Sequence, residues 1–239
     1  MKKISYLLIV FAGLCLAACN NAQNAENVST DTGIKNNAVA NSVFQVSLAG
    51  KQVHFSQGNL QYTVTDNGYR YRFADNQYDQ LQTLFGQYID YFNYTHALAA
   101  VEYMSDWRML TQAEWEFLLD KYKHWMLSVN GVYGMMLLPE VWTQPSDVEW
   151  SLTGYTAAQW RKMQLNGAVF LPASGMVQVD LIAYDKIGGI NQNGCYWSAT
   201  ANNYETFNAY SLFFNNSMYR FANDSKSNLR SVRLVMDVR

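Results

Sequence analysis

Two helix-start patterns sit in the middle of this chain, and the runs on both sides of them alternate as strands do. Thr111-Gln112-Ala113-Glu114 reads as a capping box: the Thr111 hydroxyl takes the N–H of Glu114, and the Glu114 carboxylate reaches back to the N–H of Thr111. Trp115, Leu118, Leu119 and Tyr122 then recur at helical spacing, which predicts one buried face. Thr156-Ala157-Ala158-Gln159 repeats the device, followed by Trp160 and Met163 and stopped by Gly167. Upstream, residues 43–48 and 51–55 flank Ala49-Gly50, and residues 60–64 and 69–73 flank Asp66-Asn67-Gly68, two hairpins with turn residues suited to positive φ. Residues 135–138 and 168–171 are short apolar runs that predict buried strands, and the chain returns to strand pattern at 195–198, 209–214, 218–221 and 231–236. Residues 78–94 are aromatic and weakly periodic, which predicts an irregular stretch with at most one short helix. Two main helices between strand-rich ends predict an α+β fold with mixed or antiparallel strands, long loops, and its N- and C-terminal strands paired in one sheet.

Composition supports one domain with a sizeable core. Of 239 residues, 49% are hydrophobic and only 15% charged, which excludes disorder for most of the length. The net charge of −2 and the lack of a basic block make nucleic acid an unexpected partner. The 17 Tyr and 7 Trp are explained first by a packed, strand-rich core.

The N-terminus carries a different kind of information. Lys2 and Lys3 precede an apolar run at 6–12, too short to span a bilayer, and Leu16-Ala17-Ala18-Cys19 closes it with small residues and a cysteine. The segment resembles a bacterial lipoprotein signal peptide with its lipobox. That resemblance implies removal of residues 1–18, acylation of Cys19, and a membrane partner reached through the lipid, with a cell-envelope location, the outer membrane foremost. Residues 19–42 then form the acylated cysteine and a polar tether without aromatics, with a root-mean-square reach of about 25 Å. The folded domain is expected over 43–239. Once the signal is removed and Cys19 is acylated, Cys195 is the only thiol left, so no intrachain disulfide is available.

Four blocks of the domain resemble a known superfamily. Asp106-Trp107-Arg108-Met109-Leu110-Thr111-Gln112-Ala113-Glu114-Trp115-Glu116-Phe117 is similar to the WRLPTEAEWEYA helix entry of the formylglycine-generating enzyme and sulfatase-modifying factors. Gly167-Ala168-Val169-Phe170-Leu171-Pro172-Ala173-Ser174-Gly175 resembles their GAVFLPAAG segment. Gly194-Cys195-Tyr196-Trp197-Ser198-Ala199-Thr200 resembles the GYYWSST strand of the Bacteroides and Fibrobacter relatives, and Ser231-Val232-Arg233-Leu234-Val235 their closing SVRLV strand. The resemblance implies a C-type-lectin-like fold, whose long loops carry the site. Its oxidising members use a pair of cysteines that bind copper. Cys195 stands alone, where this branch usually has an aromatic residue, so the resemblance points to the non-catalytic branch.

The remaining chemistry is sparse. His54, His96 and His124 show no metal-ligand spacing, and no cofactor motif is present. Glu114 is explained by capping, and Glu116 lies off the apolar face. Asn202, Asn203, Glu205, Asn223 and Asp224 offer oxygen ligands suited to calcium, but without a WND or EPN triplet they read as polar turns, and no metal is expected. The long connection at 139–155 carries Trp142, Trp150 and Tyr155, rings that either stack on a sugar or partner or pack across the core. The expectation is a lipid-anchored envelope protein with a recognition domain for a glycan or another envelope protein. The alternatives are a sulfatase-modifying-type enzyme and a structural or adhesin component of a surface assembly.

Overall fold

The computed structural model describes residues 37–80, 87–179 and 187–239. Cys19, the expected signal and most of the expected tether lie outside the described residues, as does part of the 78–94 tract. The chain is a mixed α+β fold, mostly strands, with three helices among the described residues.

The first half runs β1 (Ala38–Gln45), β2 (Gln52–Ser56), β3 (Leu60–Thr65), β4 (Gly68–Phe73), α1 (Tyr94–Tyr103), β5 (Arg108–Met109) and α2 (Gln112–Lys121). The second half runs β6 (His124–Val129), β7 (Val132–Leu137), β8 (Gly154–Tyr155), α3 (Ala157–Leu165), β9 (Val169–Pro172), β10 (Gly194–Ala201), β11 (Asn208–Phe214), β12 (Tyr219–Ser225) and β13 (Leu234–Asp237).

Strand β13 lies antiparallel between β2 and β5, with Val235 opposite Phe55 and Leu234 opposite Met109, so the two ends of the domain share one sheet in the order β1-β2-β13-β5. The other sheets are β10-β11-β12, β3-β4 and β8-β6-β7-β9; among the strand pairs of the described residues only β6–β8 is parallel. Both expected upstream hairpins form, and their turns place Gly50 and Gly68 at φ +82° and +112°.

Both capping boxes close as expected. Thr111 accepts from the N–H of Glu114 at 3.2 Å while Glu114 accepts from the N–H of Thr111 at 2.9 Å; Thr156 and Gln159 do the same for α3. Three differences from the sequence reading stand out. Helix α1 follows directly on the tract read as irregular, started by the Asn93 side chain accepting from the N–H of His96. Strand β6 fills a stretch given no element. The sheet also begins at Ala38 rather than Val43, with Val39 and Ser42 fully buried, so residues 38–42 belong to the fold and not to the tether. Asn41, at φ 59°, makes the bulge that lets the strand continue, and its side chain donates to the carbonyl of Leu165.

Three large clusters, with a smaller one around Tyr91 and Val177, hold these pieces together. Phe44, Phe55, Trp115, Leu118, Tyr196 and Phe214 form the first, between the terminal sheet, α2 and β10-β11. Phe92, Ala97, Trp107, Trp197 and Val232 form the second, under α1. Leu127, Val129, Trp160, Met163 and Phe170 form the third, where α3 covers one face of β6-β7-β9. Each fully buried ring or Leu among them contributes about 2 kcal/mol of transfer free energy, which lets a fold without a disulfide among the described residues stand on its core.

Candidate functional site

The connection from β7 to β8 leaves the sheet at Leu138 and is fastened to it again and again. Val148 and Tyr155 sink into the third cluster, Asn166 donates to the carbonyl of Thr143 at 2.6 Å, Ser128 N–H donates to the carbonyl of Thr153 at 3.0 Å, and Lys162 pairs with Asp147. A loop pinned at so many points loses little further freedom when something binds it.

On that loop Trp150 is 39% exposed. Its ring stands edge-on to Trp125 of β6, centroids 4.9 Å apart at 73°, and to Trp142, 6.3 Å apart at 68°. Trp125 and Trp142 are half-buried and pack against the third cluster. The three rings make a shelf with Trp150 as its open element. Glu149 and Gln144 lie exposed on the same loop, and Leu152 beyond it is 64% exposed. The structure therefore brings Trp142 and Trp150 together and removes Tyr155 from the group. Tyr155 is 4% exposed, its ring packs against Trp160, and its hydroxyl accepts from the N–H of Ser151 at 3.1 Å, so it presents no face to a ligand. Trp125 is the member that sequence reasoning missed. Its signal was Asn130-Gly131, a hairpin turn that identifies β6.

Cys195 has the opposite surroundings. It lies in β10, 1% exposed, 3.6 Å from the Ser211 hydroxyl and 3.9 Å from Asp224. Burial pushes the thiol up to about 11, against the pull of Arg230, so it is a protonated, sheltered group at neutral pH. Asp224 accepts from Ser211 at 2.5 Å and from Arg230 at 3.1 Å; burial would raise its carboxyl, but these partners hold it below the usual carboxylate range.

Of the oxygen-rich residues considered for calcium, Asn202, Glu205 and Asn223 bond within one network, while Asp224 is taken up by Ser211 and Arg230. The Asn202 side chain accepts from the N–H groups of Tyr204 and Glu205 and donates to Asn223, and Glu205 accepts from Asn208 and Asn223. This lattice braces the β10–β11 turn, which holds Tyr204 and Phe207 in water at 97% and 84% exposure. Among the described residues no group of three or more His, Cys, Asp or Glu is placed to hold a metal ion. Glu114, beyond its capping role, pairs with Arg108 at 2.7 Å and Lys51 at 3.1 Å; burial would raise it, and these partners together with the Thr111 N–H bring it below its ordinary value.

Fold and site together define a mixed α+β domain with antiparallel sheets, a sealed thiol and an exposed aromatic shelf. A family model described as a domain of unknown function (DUF8237) matches residues 155–235, less than half of the chain, running from β8 to β13 and thus excluding all three tryptophans of the shelf. No curated protein and no solved structure matches the chain.

Proposed function

We propose that this chain is a lipid-anchored envelope protein whose domain is a non-catalytic, C-type-lectin-like recognition module of the sulfatase-modifying-factor type, and that it binds a glycan across Trp150. The observation that carries the proposal is the open Trp150 ring, held edge-on between Trp125 and Trp142 on a loop already fastened to the core. An indole ring held in a fixed orientation and partly open to water suits the apolar face of a sugar ring, and the exposed Glu149 side chain suits its hydroxyls. The pairing of the last strand, β13, with β2 of the N-terminal hairpin, and the placement of the WRLPTEAEWEYA-like block as β5, cap and α2, support the lectin-like reading. A buried thiol of raised pKa supports recognition over thiol oxidation.

Glycan-array binding of the full chain tests this directly. The expected result is a defined glycan signal that Trp150→Ala weakens about tenfold or more, equivalent to about 1.4 kcal/mol. An array without signal, or a signal indifferent to Trp150→Ala, removes the glycan. A protein partner is the second reading, favoured by Tyr204 and Phe207 at the braced turn. It would instead show as envelope-protein capture lost on joint alanine substitution of those two rings.

A further inference from the structure

Strand β6 has two faces, and the tryptophan shelf uses only one. Trp125, Leu127 and Val129 point to the third cluster; His124 and Met126, one residue out of phase, point the other way. There they meet the turn between β11 and β12, and His124, Met126, Asn216, Ser217, Met218 and Tyr219 line an open groove of about 420 Å³. The groove brings together two thioethers and one imidazole from distant parts of the chain.

We propose that this groove binds a soft monovalent metal ion of the copper(I) class through Met126, Met218 and His124. Thioether sulfur is a poor ligand for hard cations and a good one for copper(I), and imidazole suits the same ion. The lining contains no carboxylate, so a hard divalent ion would find neither its preferred oxygen ligands nor charge compensation. A monovalent ion needs less of the latter. The orientation of His124 fits as well. Its Nδ1 lies 3.4 Å from the backbone carbonyl of Tyr122, and the tautomer that donates there leaves the lone pair of Nε2 free for a metal, as in a metal-binding histidine oriented by a backbone carbonyl. The Tyr219 ring stands edge-on to the imidazole at 5.0 Å and limits its rotation. Met218 is 46% exposed on a turn closed by the Asn215 side chain, which accepts from the N–H groups of Ser217 and Met218 at 2.9 and 3.0 Å. Its sulfur is therefore both accessible and carried on an ordered backbone. Spacing arguments built on histidine and cysteine pass over this set because they count no thioether.

The test uses the full chain carrying Cys15→Ser and Cys19→Ser, so that no N-terminal thiol competes, titrated anaerobically with copper(I) against a chromogenic copper(I) chelator. One equivalent should be withdrawn from the chelator. Met126→Leu, Met218→Leu and His124→Gln should each weaken uptake at least tenfold, with far-UV circular dichroism confirming the fold. Silver(I) should shift the methyl carbon resonances of Met126 and Met218 and leave the buried Met135 and Met136 in place. A folded parent that withdraws no copper(I), or uptake that survives the Met126→Leu/Met218→Leu pair, overturns the proposal. Since Met218 is a rim residue, its variant keeps the test decisive even where Met126→Leu is poorly folded.

Discussion

His96 shows how a single residue of α1 is governed by its neighbours. Its ring lies 4.4 Å from both Tyr62 and Tyr69, 5.0 Å from Phe92 and 5.8 Å from Tyr71, whose hydroxyl is 3.0 Å from Nε2. Burial in this cage drops the imidazole to about 4, from 6.5 in the unfolded chain, so the unfolded state takes up the proton first. Stability is then full above pH 6.5, falls as pH drops from 6.5 to about 4, and levels off below that. The loss is about 3 kcal/mol, readable as a falling urea midpoint over that window. His96→Phe should flatten the profile there, leaving only the smaller change in the same direction from His54, whose pKa burial also lowers. Glu114 and Asp224, held below their ordinary values of 4.5 and 3.8, begin to lose their contribution only as pH falls through those values, so the upper part of the His96 window lies clear of them. At this scale the sequence was partly legible. Trp142 and Trp150 were identifiable as loop aromatics, but nothing local distinguishes Tyr155, which the sheet swallows, from Trp150, which it leaves out.

The elements divide by whether their signals are local. α2 and α3 announce themselves because a capping box is a three-residue device whose energy is spent within one turn. Thr111→Ala should cost about 1 kcal/mol by losing the bond from the Glu114 N–H. Glu114→Gln should cost more, about 2 kcal/mol, because the same carboxylate also anchors Arg108 and Lys51 across to β5 and the β1–β2 turn. Thermal or urea unfolding of the two variants side by side checks the order; because Gln keeps the bond from the Thr111 N–H, as Gln159 does in α3, a Glu114→Gln cost near zero would mean that the ion pairs contribute nothing. α1 was overlooked because Asn93 caps it without a reciprocal Glu or Gln, and the aromatic run before it masks the change of period. β6 was overlooked although Asn130-Gly131, at φ 50° and 78°, is a strong two-residue hairpin turn. The short β5 pairs with β13, far along the chain, and no local pattern signals it.

As a whole, the molecule is a domain whose two ends meet in one sheet, with the Trp150 shelf and the His124–Met126–Met218 groove on opposite faces of β6. Among the described residues no helix is long and apolar enough to cross a membrane. The proposed membrane association rests instead on the lipobox resemblance at Cys19. Cys19→Ala should move the protein from the membrane fraction to the soluble fraction on cell fractionation; retention of the variant in the membrane would refute the anchor. One acyl chain alone gives marginal binding, at about 0.8 kcal/mol per buried methylene, so release should be complete only when every chain is lost with the cysteine. Residue order alone was enough to establish the helices with closed caps, the two upstream hairpins and the α+β class, because periodicity and turn chemistry act over a few residues; the pairing of the terminal strands followed only from the order of elements, with strands at both ends of the domain. The burial of Cys195 and Tyr155, the union of Trp125 with Trp142 and Trp150, and the meeting of His124 and Met126 with Met218 came from packing between segments up to about a hundred residues apart. Such contacts depend on how sheets and helices close over one another, and no local pattern encodes which side of a strand will be covered.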